Sequence, residues 1–261
     1  MRATVSRPDN AELLRVAEAA ARAAAPELVE RFTRGAVNVS SKSTATDLVS
    51  EADLAAERTI RALLARERPD DAIMGEEGDD TPGTSGLRWV VDPLDGTINY
   101  LFGHPQWCIS VACEGRAGVV YDPLRDELFA VAAGGMPTLD GASLTSASTC
   151  DQLGSALVAT GFGYAADVRA AQAAIVVRVL PAVRDIRRTG SAALDLAWTA
   201  AGRLDAYYEY GVKPWDIAAG VLLCEGAGLQ VENLAGGGDL PPGLLVAPAG
   251  LADGLRVLLG R

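Results

Sequence analysis

At the start of the chain the apolar residues keep helical spacing. Leu13, Ala17, Ala20, Ala21, Ala24 and Leu28 recur three or four positions apart, which predicts an amphipathic helix over residues ~9–33 with one face for packing. The stretch Val37 to Asp47 is polar, rich in hydroxyls and without period. It reads as a loop, a connector by composition, with a flap over a site as the other reading. Ser50 and Asp53 then open a second helix, whose stripe Ala52, Ala56, Ile60, Leu63 and Leu64 stops before Pro69.

After Pro69 the pattern changes to short β-branched runs. Ala72-Ile73-Met74 predicts a strand halted at Gly75-Glu76-Glu77-Gly78, and Trp89-Val90-Val91 predicts a buried strand ending at Asp92. Residues 106–113 and 116–122 read as antiparallel strands joined by Glu114-Gly115, and 127–132 as a third. This half is α+β, a sheet backed by helices. From Ser155 strands and helices alternate: a strand to Thr160, a helix to about Val183, the strand Asp185 to Arg187 and a helix from Gly190. Next come the strand Ala206 to Tyr210, a helix from Trp215, strands Gly228 to Val231 and Leu244 to Ala247, and a terminal helix. Helices between strands imply crossovers and a layered sheet. Residues 1–150 and 151–261 are expected as two halves packed tightly into one unit.

The candidate chemistry centres on Asp92-Pro93-Leu94-Asp95-Gly96-Thr97. Ligand sites of α/β sheets lie beyond the carboxyl ends of strands, and Asp92 stands at such an end. Pro93 lacks an N–H and should take the chain out of the strand at once, letting Asp95 swing back toward Asp92. Two carboxylates facing one small volume repel unless a cation lies between them, and hard oxygen ligands favour magnesium or manganese. Gly96 and Thr97 should start a short helix whose free N–H groups suit a phosphate oxygen. Taken alone, the same residues also fit an ordinary strand-to-turn connection. The aspartyl-phosphate motif D-x-D-x-T does not fit, because its acids are two apart and these are three apart.

Gly75-Glu76-Glu77-Gly78 repeats the arrangement of acids beside glycine past a strand end. If the two strands are neighbours, Glu76 can share the metal of Asp92. Gly161-Phe-Gly-Tyr-Ala-Ala166 has the outline of a dinucleotide fingerprint but leaves the acids unexplained. Thr189-Gly190-Ser191-Ala192-Ala193 offers a Ser N-cap and backbone donors. Pro214-Trp215-Asp216 opens a helix whose small-residue run, Ala218-Ala219-Gly220, permits close packing and would carry Asp216 inward, where a buried carboxylate needs a partner.

Charge sharpens the picture. The 261 residues carry a net charge of −11, which argues against nucleic-acid or anionic-membrane partners. An acidic protein handling a phosphate needs a local cationic centre, and a bound metal supplies one. Of 23 basic residues only Lys42 and Lys213 are lysine, both beside candidate site segments. Cys108, Cys113, Cys150 and Cys224 form no C-x-x-C pair and no zinc spacing, only one histidine, His104, exists to help them, and they read as buried free thiols. No apolar run reaches the ~20 residues of a membrane span, so a cytoplasmic protein is expected.

Gly75-Glu76-Glu77, Asp92 to Thr97 and Trp215-Asp216-Ile-Ala-Ala-Gly220 occur in the order and spacing of the inositol monophosphatases, in the superfamily shared with fructose-1,6-bisphosphatases. The chain resembles that family over nearly its whole length, including Lys42 to Asp47, Asp140-Gly141 and Thr160 to Tyr164. Arg187-Arg-Thr-Gly190-Ser191 through Leu196 and Gly202 through Glu209 are most similar to the bacterial inositol-1-phosphatase branch. The resemblance implies a layered αβαβα sandwich of the sugar-phosphatase type, homodimeric, hydrolysing phosphate monoesters with two or three Mg2+ and often lithium-sensitive. By position it implies one metal held by Glu76, Asp92 and the Leu94 carbonyl, and a second by Asp92, Asp95 and Asp216. Thr97, assisted by Asp47 and Glu76, would orient and deprotonate the attacking water. Gly96 and Thr97 would bind phosphate beside Asp95, and Gly190, Ser191, Ala192, Glu209 and Asp216 the polyol. The Lys42 loop would be a mobile flap. A carboxylate at Glu209 suits neutral vicinal hydroxyls and disfavours a second phosphate, but would equally suit the ammonium of histidinol phosphate. A histidinol-phosphate or fructose-1,6-bisphosphate phosphatase, or an inactive metal-binding regulator, are the alternatives.

Overall fold

A computed structural model describes residues 8–34, 40–41, 48–49, 51–144 and 148–260. Helix α1 (Asn10–Arg34) and helix α2 (Glu51–Glu67) flank a two-stranded ribbon, β1 (Ser40–Ser41) with β2 (Leu48–Val49). Every residue of the stripe expected in α1 is buried, and in α2 Ala52, Ala56, Ile60 and Leu64 are. Both helices cover the outer face of a seven-stranded sheet, where the rings of Phe32, Tyr100 and Trp107 pack at 5.2–5.5 Å between centroids.

That sheet runs in sequence order: β3 (Ala72–Gly75), β4 (Arg88–Asp95), β5 (Cys108–Cys113), β6 (Ala117–Asp122), β7 (Glu127–Ala132), β8 (Thr138–Leu139) and β9 (Ala142–Ser143). All neighbours are antiparallel except β3 and β4, which are parallel. The hairpin β8–β9 was not legible in the sequence, since two-residue strands show no alternation.

The second sheet has five strands in the order β11 (Asp185–Arg187), β10 (Leu157–Thr160), β12 (Ala206–Tyr210), β14 (Gly243–Ala247), β13 (Gln230–Leu234). β10 is parallel to both neighbours, as crossover helices require, whereas β14 is antiparallel to its neighbours. Helices α4 (Ala166–Val179) and α7 (Ala249–Leu259) cover its outer face. Helices α5 (Ala192–Ala200) and α6 (Pro214–Gly226) lie between the two sheets, where their apolar side chains share one core with residues of both. The layers are therefore αβαβα. Close approach in the middle layer depends on small residues: a Cβ on Gly220 would lie 2.5 Å from Leu196 Cβ.

One expectation at the centre is corrected. The chain does not leave the sheet after Asp92; β4 continues through Pro93 to Asp95. Opposite β5 the register steps from Asp92↔Ser110 to Asp95↔Cys108, so three residues on β4 face two on β5. This β-bulge accommodates Pro93, which has no N–H for the ladder. Among the described residues no helix is long and apolar enough to cross a membrane.

Candidate active site

In a regular strand residues three apart point to opposite faces, so Asp92 and Asp95 would diverge. The bulge supplies the extra residue that reverses the alternation, and both acids line one pocket of 420 Å³. The parallel pairing of β3 and β4 brings Glu76 into the same pocket. Gly75 stands opposite Val91, and Glu76 N–H donates to Val91 O at 3.2 Å, leaving the glutamate beside Asp92. Asp216 enters from the first turn of α6, its Oδ2 accepting from Lys213 N–H at 2.7 Å. Four acids from three distant segments thus converge.

The turn after Asp95 depends on Gly96, whose φ of 100° favours glycine and whose missing Cβ would stand 2.8 Å from Gln106 O. From there helix α3 (Thr97–Leu101) begins with no side-chain cap. Thr97 Oγ1 donates to Leu94 O at 3.1 Å and to Asp53 Oδ1 at 3.4 Å. Asp53, read from sequence as a helix-start residue, is fully buried, and it is the described carboxylate that meets this hydroxyl. Asp47, the partner implied by resemblance, lies outside the described residues, as do Lys42 and Ser50.

Gly190, Ala192 and Glu209 line the pocket, together with Leu94, Gly96 and Thr97. Ser191 is placed differently from the expectation of a polyol contact. It is buried, caps α5 by accepting from Leu194 N–H, and donates its hydroxyl to Asp95 Oδ2 at 2.7 Å. Ala193 N–H reaches the same oxygen at 2.6 Å, so the start of α5 orients Asp95. Gly161, the first glycine of the fingerprint outline, serves another purpose: a Cβ there would fall 2.1 Å from Glu209 Oε2. Exposed Arg188 and Lys213 line the pocket as well, and Arg188 stacks over Phe162 at 5.9 Å. His104 is exposed and does not line the pocket.

Sequence reading passed over three buried acids behind these walls. Asp53 was assigned only to a helix start. Glu57 and Asp195 drew no attention, because a single acid in a helix reads as a solvated face. Asp195 accepts from Thr189 Oγ1 at 2.6 Å. The small-residue run after Asp216 was the one sequence signal of burial in this region.

Electrostatics decide what the pocket can hold. Burial, then the charges of Glu76, Asp95 and Asp216, pushes the Asp92 carboxyl well above the usual range. Burial pushes Asp95 up to about 6 against the opposing bonds from Ser191 and Ala193. Asp216 is likewise raised, by burial and then by Asp95. Without a counter-charge these acids take up protons at a higher pH than a free carboxyl does. Among the described residues no three acidic, histidine or cysteine side chains are closed into a ready metal cage. One oxygen of each of three acids is already engaged: Asp92 Oδ1 accepts from Leu94 N–H, Asp95 Oδ2 from the start of α5 and Asp216 Oδ2 from Lys213 N–H. The donor set nevertheless fits hard divalent cations, whose charge would relieve the crowding that holds those protons.

Comparison with known proteins agrees with this geometry. The family model described as inositol monophosphatase family matches residues 9–258. The inositol-1-monophosphatase of Mycobacterium leprae (strain TN) is 43% identical over 237 residues, covering 85% of this chain and 81% of that protein. Nus factor SuhB of Escherichia coli (strain K12) is 40% identical over 232 residues, 86% of each. The crystal structure of the extragenic suppressor protein suhB from Bartonella henselae aligns with a TM-score of 0.87 at 33% identity, over 95% of this chain and 98% of that one.

Proposed function

The chain belongs to the inositol monophosphatase family of phosphoric monoester hydrolases, and on that premise we propose that it hydrolyses inositol-1-phosphate to inositol and phosphate using magnesium. The observation that carries this reading is the meeting of Glu76, Asp92, Asp95 and Asp216 in one pocket that Glu209 also lines. Glu76, Asp92 and the Leu94 carbonyl would hold one Mg2+, and Asp92, Asp95 and Asp216 a second, with Mn2+ a substitute. When bound, such ions supply Lewis acidity for water and neutralise phosphoryl oxygens.

The chain's own residues do the rest. The Thr97 hydroxyl keeps its proton and donates it in a hydrogen bond to Leu94 O or Asp53 Oδ1. Its lone pairs then face the pocket, where they accept a hydrogen from water and aim its oxygen at phosphorus. The N–H groups of Gly96 and Thr97 receive phosphate oxygens. The bond from the water oxygen to phosphorus forms as the ester P–O bond breaks in line; one water proton passes to Glu76, which by resemblance works with Asp47, and the polyol oxygen takes a proton from solvent as it leaves. Glu209, fixed by the Tyr207 hydroxyl at 3.0 Å, accepts hydrogen bonds from polyol hydroxyls. A homodimer in the cytoplasm, with neither nucleic acid nor membrane as partner, completes the proposal.

A carboxylate at position 209 also suits an ammonium, so histidinol phosphate is the second substrate to compare. The E. coli relative is named a Nus factor and not a phosphatase, which keeps an inactive metal-binding regulator as the alternative. Here the intact Thr97 and the four acids favour turnover, since a regulator has no chemical need of a water-orienting hydroxyl. The test is kcat/KM for inositol-1-phosphate, histidinol phosphate and fructose-1,6-bisphosphate on one preparation, with Asp92→Asn as control. Inositol-1-phosphate is expected to rank first, and phosphate release to vanish in the variant. Unchanged release in Asp92→Asn would sink the site assignment, and a higher value for histidinol phosphate would move the substrate.

A further inference from the structure

One helical turn after Asp53, α2 turns a second carboxylate toward the site that the reaction above does not use. Glu57 is 3% exposed and does not line the pocket. Its Oε2 accepts the backbone N–H of Glu77 at 2.8 Å and its Oε1 that of Gly78 at 2.9 Å. Arg61, the next turn along, donates Nε to the same Oε1 at 2.6 Å. The guanidinium reaches on to Gly78 O and Thr81 Oγ1, both at 3.2 Å. The glycines flanking the acids make this contact feasible. A Cβ on Gly75 would lie 2.4 Å from Glu57 Oε1, and one on Gly78 would lie 2.8 Å from it.

β3 ends at Gly75, so Glu76 stands just past the strand, its N–H bonded to Val91 O, on a loop that next rejoins the sheet where Thr81 pairs with Ile73. Unrestrained, such a loop samples many orientations of the Glu76 carboxylate, and ordering it at the moment of metal binding would weaken affinity. Glu57 removes that freedom beforehand with two charge-assisted bonds to the backbone immediately after Glu76. We propose that Glu57, anchored by Arg61, is a positioning residue that holds Glu76 in the orientation that takes a divalent cation. This rests on reading the pocket as a magnesium site. A merely structural brace between α2 and β3 would alter stability and leave magnesium affinity alone.

The experiment is calorimetric titration of magnesium into metal-stripped wild type, Glu57→Gln and Arg61→Met, alongside thermal melts of the stripped proteins. Glutamine keeps the shape but sets an NH2 against donors where an oxygen had accepted. Loss of an outer partner of a ligand typically weakens metal binding about 10–100-fold, the rise in Kd expected for Glu57→Gln, with a smaller rise for Arg61→Met. Excess magnesium should restore kcat in both. A Kd within about twofold of wild type in the folded variants overturns the proposal. If Glu57→Gln does not fold, Arg61→Met decides by the same criterion. A wild type that takes up no magnesium overturns the site reading instead, which keeps the two failures distinct.

Discussion

Glu209 shows how one residue is tuned by its surroundings. Burial pushes its carboxyl from 4.5 up to about 7, against the opposing bond from Tyr207. A folded value above the unfolded one means that the native state holds the proton more tightly, so ionisation lowers stability. The penalty is absent below 4.5 and complete above about 7. Glu209→Gln keeps an oxygen for the Tyr207 hydroxyl and removes the charge. Its Tm without metal should therefore exceed wild type at about pH 8 and converge with it as pH falls toward 4.5. Thermal melts across that range measure this, and a gain independent of pH would contradict it. The same substitution should raise KM for a polyol ester more than it lowers kcat, because the carboxylate accepts from hydroxyls remote from phosphorus.

At the scale of elements, the middle layer matters most, because α6 both packs the two sheets together and carries Asp216. Its small residues allow this: beyond Gly220 against Leu196, a Cβ on Gly118 of β6 would lie 2.9 Å from Ala219 Cα. Gly→Ala inside an unconstrained helix gains roughly 0.5–1 kcal/mol, but forcing a methyl into a closed contact costs about 1–3 kcal/mol. Gly220→Ala should therefore lower unfolding free energy by roughly 1–2 kcal/mol, read from urea denaturation. It should also weaken magnesium binding, since displacing α6 moves Asp216. A stabilised variant would show that the layer can yield without cost.

For the whole molecule, the pocket concentrates acids in a chain already at −11, so an empty site is held together against its own charge. Anything that binds only the folded state stabilises it by RT ln(1 + [L]/Kd), about 2.7 kcal/mol at a hundredfold excess over Kd. Magnesium should accordingly raise Tm in proportion to the logarithm of its concentration, and excess chelator should reverse the rise. Scanning calorimetry in magnesium series tests this, and a Tm indifferent to both additions would refute a metal linked to folding.

Periodicity and local chemistry settled much in advance. The stripes of α1 and α2, the strands flanking Glu114-Gly115 and the alternation after Ser155 follow from side-chain spacing, and spacing repeats locally. The acids at 76, 92, 95 and 216 stand out by the glycine, proline and small residues around them, although the same residues also fit ordinary turns and a helix start; the fold brings all four to one pocket. What only the tertiary structure decided was direction. The bulge at Pro93 turns Asp92 and Asp95 to one side, and the start of α5 converts Ser191 from a pocket contact into a tether for Asp95. Asp53 and Glu57 face inward because α2 lies over the ends of β3 and β4, a relation between segments that no local pattern encodes. A carboxylate on a helix reads the same in sequence whether it meets water or a backbone N–H. Its partner is selected by packing, and packing is a property of the assembled chain.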